Sequence, residues 1–159
     1  MENEYKCATH PHELLMMNLS FFHLLLPLAA LATGYIAPIL SLALIASIGT
    51  LLWIAKKAKI HCCTASKDTP LVKAHWKKAW DRSKLLFIGY AISVSILGLG
   101  WFFATSQSDP NMEDILLVVF SWIAIIPLVF IVFALFVFST VSSARAKRGE
   151  FPKVKGNIT

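Results

Sequence analysis

The sequence predicts an all-α membrane protein with four transmembrane helices in an up-down-up-down bundle, and three observations support this fold class. Hydrophobic residues make up 57 % of the 159 residues and charged residues only 15 %, against about 25 % charged in soluble proteins. Long stretches of the chain contain no Asp, Glu, Lys or Arg. The Lys and Arg residues concentrate in residues 56–84 and 145–159. We interpret residues 1–159 as a single integral membrane domain.

The first charge-free stretch, residues 14–55, is long enough to cross a membrane twice. It contains 42 residues, whereas one transmembrane helix needs about 20 mostly apolar residues. Gly34 and Pro38 interrupt it near its midpoint, and both disfavour a continuous helix there. The sequence therefore predicts two antiparallel spans, residues 14–33 and 38–55.

Two further charge-free stretches predict the third and fourth spans. Residues 85–108 provide 24 residues and residues 115–144 provide 30, so the fourth span can tilt or extend into the headgroup layer. Asp109 is expected to cap the fourth helix. A proline within a helix frees a backbone carbonyl and bends the helix. We therefore expect kinks at Pro27 and Pro127.

The distribution of charge predicts which side of the membrane each segment faces. Residues 56–84 carry nine Lys or Arg against two Asp, and residues 145–159 carry five against one Glu. Residues 106–114 carry three acidic residues and no basic one. Because Lys- and Arg-rich loops remain in the cytoplasm, we expect the basic loop and both termini to be cytoplasmic, in a bacterial inner membrane.

Residues 70–84 predict a short basic amphipathic helix between the second and third spans. Val72, Ala79 and two tryptophans share one face of this helix, and such a helix lies on the membrane surface with its apolar face in the headgroup layer. The alternative is a solvated charged loop that only sets the topology. The residues predicted at the membrane interface are Trp76, Trp80, Lys73, Lys77, Lys78 and Arg82.

Small residues spaced four apart predict close contacts between helices. Gly89 and Ser93 on the third span, and Ala30 and Gly34 on the first, follow this pattern. Small side chains let two helix backbones approach in a membrane. The pattern predicts packing without identifying the partner helix.

His23 lies about halfway through the first span, where a polar ring is most costly. The sequence leaves two interpretations open. The imidazole could bind haem b or a quinone or relay protons, or it could be neutral and bonded to Ser or Thr hydroxyls of a neighbouring helix, with Asn18 and Ser20 nearby. No other span contains a histidine, so a bis-histidine haem would need a ligand from another copy or another subunit.

Cysteines and histidines near the two cytoplasmic segments form a possible metal-ligand set. Thiolate and imidazole suit Zn or Cu. Two adjacent cysteines do not match the separated pairs of structural zinc sites, so we predict no metal site and expect reduced thiols in the cytoplasm. The residues are Cys7, His10 and His12 on the polar arm 1–13 and His61, Cys62 and Cys63 on the basic loop.

The residues that the sequence lacks limit its function more than those it contains. Its spans hold no Asp, Glu, Lys or Arg, which ion-coupled transporters use within the membrane. It has no phosphate-binding loop, HExxH metalloprotease motif or GxSxG nucleophile motif, so we do not expect an enzyme. The tryptophans of the basic loop fit a membrane surface better than nucleic acid.

These features predict a non-catalytic multi-pass subunit or assembly factor of a larger complex, in an energy-transducing membrane. Helices that are apolar on every side need lipid or protein neighbours, so membrane lipids and other integral membrane subunits are the expected partners. The alternative is a membrane redox subunit that holds haem or quinone through His23. A small transporter is the least favoured of the three hypotheses.

Overall fold

The computed structural model describes residues 2–62 and 68–152, and the regular structure in those ranges is entirely helical. The elements are α1 (Glu2–Ser20), a π-helical turn (Phe21–Leu25), α2 (Leu26–Thr33), α3 (Ile36–Cys62), α4 (Pro70–Thr105) and α5 (Pro110–Lys147). Four helices within the described ranges are long and apolar enough to cross a membrane: Asn3–Thr33, Ile36–His61, Pro70–Thr105 and Pro110–Lys147. The predicted all-α class and the four apolar helices are confirmed, and they indicate an integral membrane protein.

The helices extend beyond the predicted spans. The polar arm before the first span is helical from Glu2 onward. α4 runs unbroken from Pro70 to Thr105, so the segment expected as a separate interfacial helix is the first part of a longer one. Residues 71–84 contain neither Gly nor Pro, and no helix-breaking residue stops the helix at that point. Charge therefore limits the apolar span but does not end the helix.

The first membrane helix is irregular one turn before Pro27. This residue has no N–H to donate to the carbonyl one turn earlier, and its ring crowds that carbonyl. The preceding turn, Phe21–Leu25, is π-helical, and the Leu26 N–H bonds to the carbonyl five residues back. The disturbance expected at Pro27 thus takes the form of a widened turn. α5 includes Pro127 within one helix, and the kink expected there stays a prediction.

Gly34 ends the first membrane helix and starts the tight connection to α3. Its φ of 77° is left-handed, a conformation that glycine adopts without steric cost. Its N–H donates to the Ala30 carbonyl at 3.0 Å. α3 begins two residues later at Ile36, and Pro38 occupies its first turn, where a missing N–H loses no helical partner.

The chain divides into two compact units, of which the first is Met1–Ser83 with Leu135–Thr159. A polar pair lies inside it between α1 and α3. Asn18 Nδ2 donates to the Ser47 carbonyl at 3.1 Å, and Ser47 Oγ donates to Asn18 Oδ1 at 3.0 Å. Fully buried leucine and isoleucine side chains on the same two helices are Leu15, Leu19, Leu51 and Ile54.

The second unit, Lys84–Ala134, pairs the later part of α4 with the first part of α5. Ser93 Oγ donates to the Ala124 carbonyl at 2.7 Å. A Cβ built on Gly89 would lie 3.0 Å from Ile131 Cδ1. The small residues predicted on the third span therefore face α5 within this unit.

Gly100 marks the closest approach within the second unit. A Cβ built on Gly100 would lie 2.4 Å from Phe120 Cβ, a distance that no other residue type tolerates without a shift of the backbone. As the α4 position advances from Gly89 to Gly100, its α5 contact retreats from Ile131 to Phe120. This register is that of two antiparallel helices.

Candidate functional site

Two buried histidines from distant parts of the chain meet in the first unit. His12 Nε2 lies 2.9 Å from His75 Nδ1, and the two ring planes are at 84°. Both residues are 0 % exposed. We call them the histidine pair, and it joins α1 to the first part of α4.

The hydrogen bonds of the histidine pair define its protonation. His75 Nε2 lies 3.0 Å from the Glu150 carbonyl, which can only accept, so this nitrogen carries the hydrogen. In a neutral ring, His75 Nδ1 is then an acceptor and receives the hydrogen of His12 Nε2. His12 Nδ1 remains a buried acceptor without a partner among the described residues.

The end of α5 places the Glu150 carbonyl against His75. The Glu150 N–H donates to the Arg145 carbonyl at 3.0 Å, which turns the chain back after the helix. Gly149 has a φ of 71°, and a Cβ built on it would lie 2.8 Å from Tyr5 Cε1. A glycine is therefore required for this return over α1. The histidine pair connects three separate segments of the chain.

Burial keeps both imidazoles neutral. Both histidines lie outside the charge-free spans: His12 precedes the first span, and His75 precedes the third. Arg82 lies close enough to act on both rings. Burial, the His75 ring and the Arg82 charge lower the pKa of His12 from 6.5 to about 3. Burial also lowers the pKa of His75, while its bond to the Glu150 carbonyl opposes this shift and Arg82 adds to it. Protonating either ring would place a charge in a buried site, which is costly.

A groove of about 510 Å³ lies in the same unit, where side chains from α1, α3 and α4 converge. We call it the polar groove. It is lined by Lys6, Cys7 and His10 from α1, by Trp53, Lys57 and His61 from α3, and by Trp76 from α4. The sequence alone did not indicate that Cys7 and His10 of the arm share a groove with two tryptophans.

Aromatic rings form the walls of the polar groove. The His61 ring is stacked on Trp76, with centroids 4.8 Å apart and planes at 18°. His10 meets the edges of both Trp53 and Trp76, at centroid distances of 6.4 and 6.1 Å. Lys57 Nζ lies 5.8 Å from the Trp53 ring centroid, within range of a cation–π contact. The groove thus combines the ammonium groups of Lys6 and Lys57 with flat aromatic walls.

His61 is held in the groove wall by a carboxylate. Its Nδ1 lies 2.7 Å from Asp68 Oδ2, so the Nδ1–H donates to that oxygen. The bond joins the end of α3 to Asp68, two residues before α4 begins at Pro70. It fixes the orientation of the ring that is stacked on Trp76.

The candidate metal ligands are divided between two places. Cys7, His10 and His61 line the polar groove, whereas His12 belongs to the histidine pair. Within the described residues no group of three His, Cys, Asp or Glu is arranged to hold a metal ion. The two adjacent cysteines of the basic loop lie outside the described side chains.

His23 lies in the π-helical turn Phe21–Leu25 of the first membrane helix. Its ring is half-buried, and its Nδ1 lies 3.4 Å from the Asn18 carbonyl of the same helix. The expected alternatives were a cofactor or the hydroxyls of a neighbouring helix. The Ser47 hydroxyl on α3 donates to the Asn18 side chain, and both alternatives for His23 stay predictions.

The residues predicted at the membrane interface differ in their surroundings. Trp76 is 3 % exposed, because it packs in the wall of the polar groove. Arg82 Nη1 donates to the Phe138 carbonyl at 2.8 Å, and its guanidinium lies 5.9 Å from the Phe138 ring centroid. Trp80, Lys73 and Lys78 are half-buried, and Lys77 is exposed.

The small residues predicted on the first span occupy opposite environments. Ala30 is 1 % exposed, so it packs against other residues. A Cβ on Gly34 would meet nothing within 4 Å, and the observed role of this glycine is to end the helix.

Sequence reasoning missed His75. The available signal was its position between Val72 and Ala79, which are both buried, on the apolar face that the helical spacing predicts. A histidine on such a face needs a hydrogen-bond partner. The identity of that partner, 63 residues earlier, could not be inferred from spacing.

No family model, curated protein or solved structure matches this chain.

Proposed function

We propose that this chain is a non-catalytic multi-pass subunit or assembly factor of a larger membrane complex, in an energy-transducing bacterial inner membrane. The proposal includes an up-down-up-down arrangement with both termini in the cytoplasm, which the positive-inside rule favours. Membrane lipids and other integral membrane subunits are the expected partners.

An aromatic face of α5 is the observation that supports this proposal. Trp122, Phe130 and Phe133 are 68, 71 and 69 % exposed. Their spacing places them within about 80° of one another around the helix. In the most apolar stretch of this helix only 6 % of the residues are buried within the chain. Within the second unit, α4 therefore leaves the aromatic face uncovered.

An aromatic face of this kind suits a partner helix. Lipid tails are as apolar as these side chains, so helix association in a membrane depends on van der Waals packing. Large flat rings provide much contact area and pack against one another in specific geometries. A neighbouring transmembrane helix would make more of these contacts than mobile acyl chains do.

Extraction of the chain from native membranes in a mild detergent tests the proposal. The species that contain it would be separated on a native gel and identified by mass spectrometry. We expect it to migrate with a larger set of membrane proteins. Migration of the chain alone as a small species, with no partner in native membranes, would overturn the proposal.

A pair of matched variants tests the aromatic face itself. Phe130→Ala combined with Phe133→Ala should lower the association constant with the complex about tenfold, the effect of losing roughly 1.4 kcal/mol of contact energy, and so reduce the fraction that migrates with it. The control combines Leu42→Ala with Ile45→Ala on α3, where both residues are 62 to 69 % exposed. Unchanged co-migration of the α5 variant would exclude this face as the contact surface.

The π-helical turn supports a second candidate function, a membrane redox subunit. Such turns occur frequently at functional sites, and this one contains His23. The hypothesis predicts a Soret band or bound quinone in the purified protein that His23→Ala removes. His10→Ala, outside the charge-free spans, is the control. Identical spectra and quinone content in the wild type and His23→Ala would eliminate this function.

A further inference from the structure

We propose that the first unit binds one anionic phospholipid along a groove between α1 and α3. Its headgroup phosphate lies beside Lys6 and Lys57, and an acyl chain follows the apolar side chains beyond Trp53. This inference goes beyond the proposed function and does not depend on it, because the groove is formed by the chain alone.

Two cavities follow one another along α1 and α3. The polar groove and a second cavity of about 670 Å³ are both lined by Trp53. The second cavity is mainly apolar, and its lining includes Leu14, Met17 and Phe21 from α1 and Gly49 from α3. Taken together, the two cavities offer a basic end and a hydrocarbon end, which is the chemical division of a phospholipid.

The length of the groove matches one leaflet. Along the first membrane helix the lining of the two cavities runs from Lys6 to Phe22, about 24 Å at 1.5 Å per residue. Half of a bilayer, including its headgroups, is about 20–22 Å thick. The basic end lies before the charge-free span and the apolar end lies within it. One lipid can therefore occupy the groove at its normal depth.

The charge of the basic end selects an anionic headgroup. Lys6 and Lys57 line it, and the described residues that line the polar groove include no acidic side chain. The nearby Asp68 carboxylate accepts the hydrogen bond of His61. Trp53 supports the Lys57 ammonium through its ring face. A phosphodiester gains from both lysines, whereas a zwitterionic headgroup brings its own cation into the same place.

The apolar end is open and has room for a chain. Met17 and Phe21 are 68 and 50 % exposed, so a lipid can enter from the side. A Cβ on Gly49 would meet nothing within 4 Å, which leaves the groove floor unfilled. A larger side chain at this position would occupy the path of the acyl chain without disturbing the helix.

Native mass spectrometry of the delipidated chain, with added lipid, tests the proposal. The probes are phosphatidylglycerol, phosphatidylcholine and the water-soluble glycerol 3-phosphate. We expect one retained phosphatidylglycerol, bound at least about fivefold more tightly than phosphatidylcholine, since each basic residue near a headgroup contributes a factor of about five.

Two pairs of variants separate the headgroup end from the chain end. Lys57→Gln should weaken phosphatidylglycerol binding about fivefold, while Lys59→Gln, two residues along α3 and outside the groove, should not. Gly49→Leu should abolish retention, while Gly98→Leu, at another helical glycine with nothing within 4 Å, should not. Circular dichroism would verify that all four variants are folded.

Several outcomes would overturn the inference. Equal retention of phosphatidylcholine would remove the headgroup selectivity, and equal effects of Gly49→Leu and Gly98→Leu would remove the acyl groove. Glycerol 3-phosphate that competes as well as the lipid would mean a site for free phosphate only. Retention of many lipids without a defined stoichiometry would mean a general membrane surface.

Discussion

His12 Nε2 and His75 Nδ1 lie 2.9 Å apart although 63 residues separate them in the chain. With the Glu150 carbonyl 3.0 Å from His75 Nε2, the two rings connect the beginning of the first helix, the beginning of α4 and the chain after α5. The bond between the rings requires a neutral His75, whose Nδ1 accepts from His12 Nε2, and the burial of both side chains disfavours a charge on either ring. The fold of the first unit is therefore linked to pH.

Acid should destabilise the first unit. In the unfolded chain the pKa of His12 is near 6.5, whereas in the folded chain burial lowers this pKa to about 3. Between these values the unfolded state binds more protons, so the free energy of unfolding falls as the pH falls. The slope approaches about 1.4 kcal/mol per pH unit for each such ring. Thermal unfolding in detergent, from neutral pH to about pH 4.5, measures it.

A neutral hydrogen-bond donor separates this titration from other acid effects. His12→Gln retains an N–H for His75 but cannot be protonated, so its stability should depend less steeply on pH than that of the wild type. His10→Gln, at an exposed residue on the same helix, should keep the wild-type slope. Equal slopes in all three proteins would contradict the assignment to the histidine pair.

Loss of one partner from the Asn18 and Ser47 pair should destabilise the packing of α1 on α3. Asn18→Leu removes the acceptor of Ser47 Oγ and the donor to the Ser47 carbonyl, and so deletes two buried hydrogen bonds between the helices. The expected cost is about 1–3 kcal/mol, measured as a lower unfolding free energy. The double variant Asn18→Leu with Ser47→Ala should recover part of this loss, because the hydroxyl that faces the introduced apolar leucine side chain is then absent.

Recovery in the double variant is the decisive readout for that pair. If the two single substitutions simply added, the side chains would not interact. Thr50→Ala is a suitable control on α3, because its hydroxyl donates to the Ala46 carbonyl of its own helix.

Gly100→Ala should weaken the pairing of α4 with α5. The added Cβ would lie 2.4 Å from Phe120 Cβ, and neither atom can move without its backbone. Overpacking of this kind costs about 1–3 kcal/mol. Gly98→Ala, two residues away with nothing within 4 Å, should cost far less. Comparison of their thermal midpoints checks the prediction, and equal destabilisation of both variants would refute the contact.

The sequence predicted what depends on local composition. Four apolar helices follow from runs without charge, and Asp109 accepts the Asn111 N–H at 3.0 Å at the start of α5, as its capping role requires. The disturbance near Pro27 was predicted, but not its form, since a π-helical turn depends on how the whole helix packs. The charge-free span 85–108 covers only the later part of α4, which begins at Pro70. Charged residues end an apolar span but do not end a helix.

The candidate sites depend on contacts that composition does not contain. The histidine pair requires α1 and α4 to meet at one register, and the polar groove requires residues from three helices. The sequence groups His12 with its neighbours Cys7 and His10 as a possible metal ligand, whereas its partner in the structure is His75. Amphipathic spacing predicts Trp76 at the membrane surface, and the same spacing also fits burial against other helices, where this side chain is 3 % exposed.

Transfer of positive charge should reverse or compete with the expected topology. The turn Gly34–Pro38 has no charge, whereas nine Lys or Arg lie in residues 56–84. Because basic residues oppose transfer across the membrane, several lysines inserted into the turn, with Lys73, Lys77 and Lys78 replaced by Gln, should bring the turn to the cytoplasm in a fraction of molecules. Labelling of a cysteine placed in the turn by a membrane-impermeant reagent, in intact cells and in inverted vesicles, measures that fraction.

A control variant carries glutamates in the turn in place of the inserted lysines. Its orientation should stay unchanged, since acidic residues contribute little to it. Unaltered labelling of the lysine variant would contradict the assignment of the termini and the basic loop to the cytoplasm.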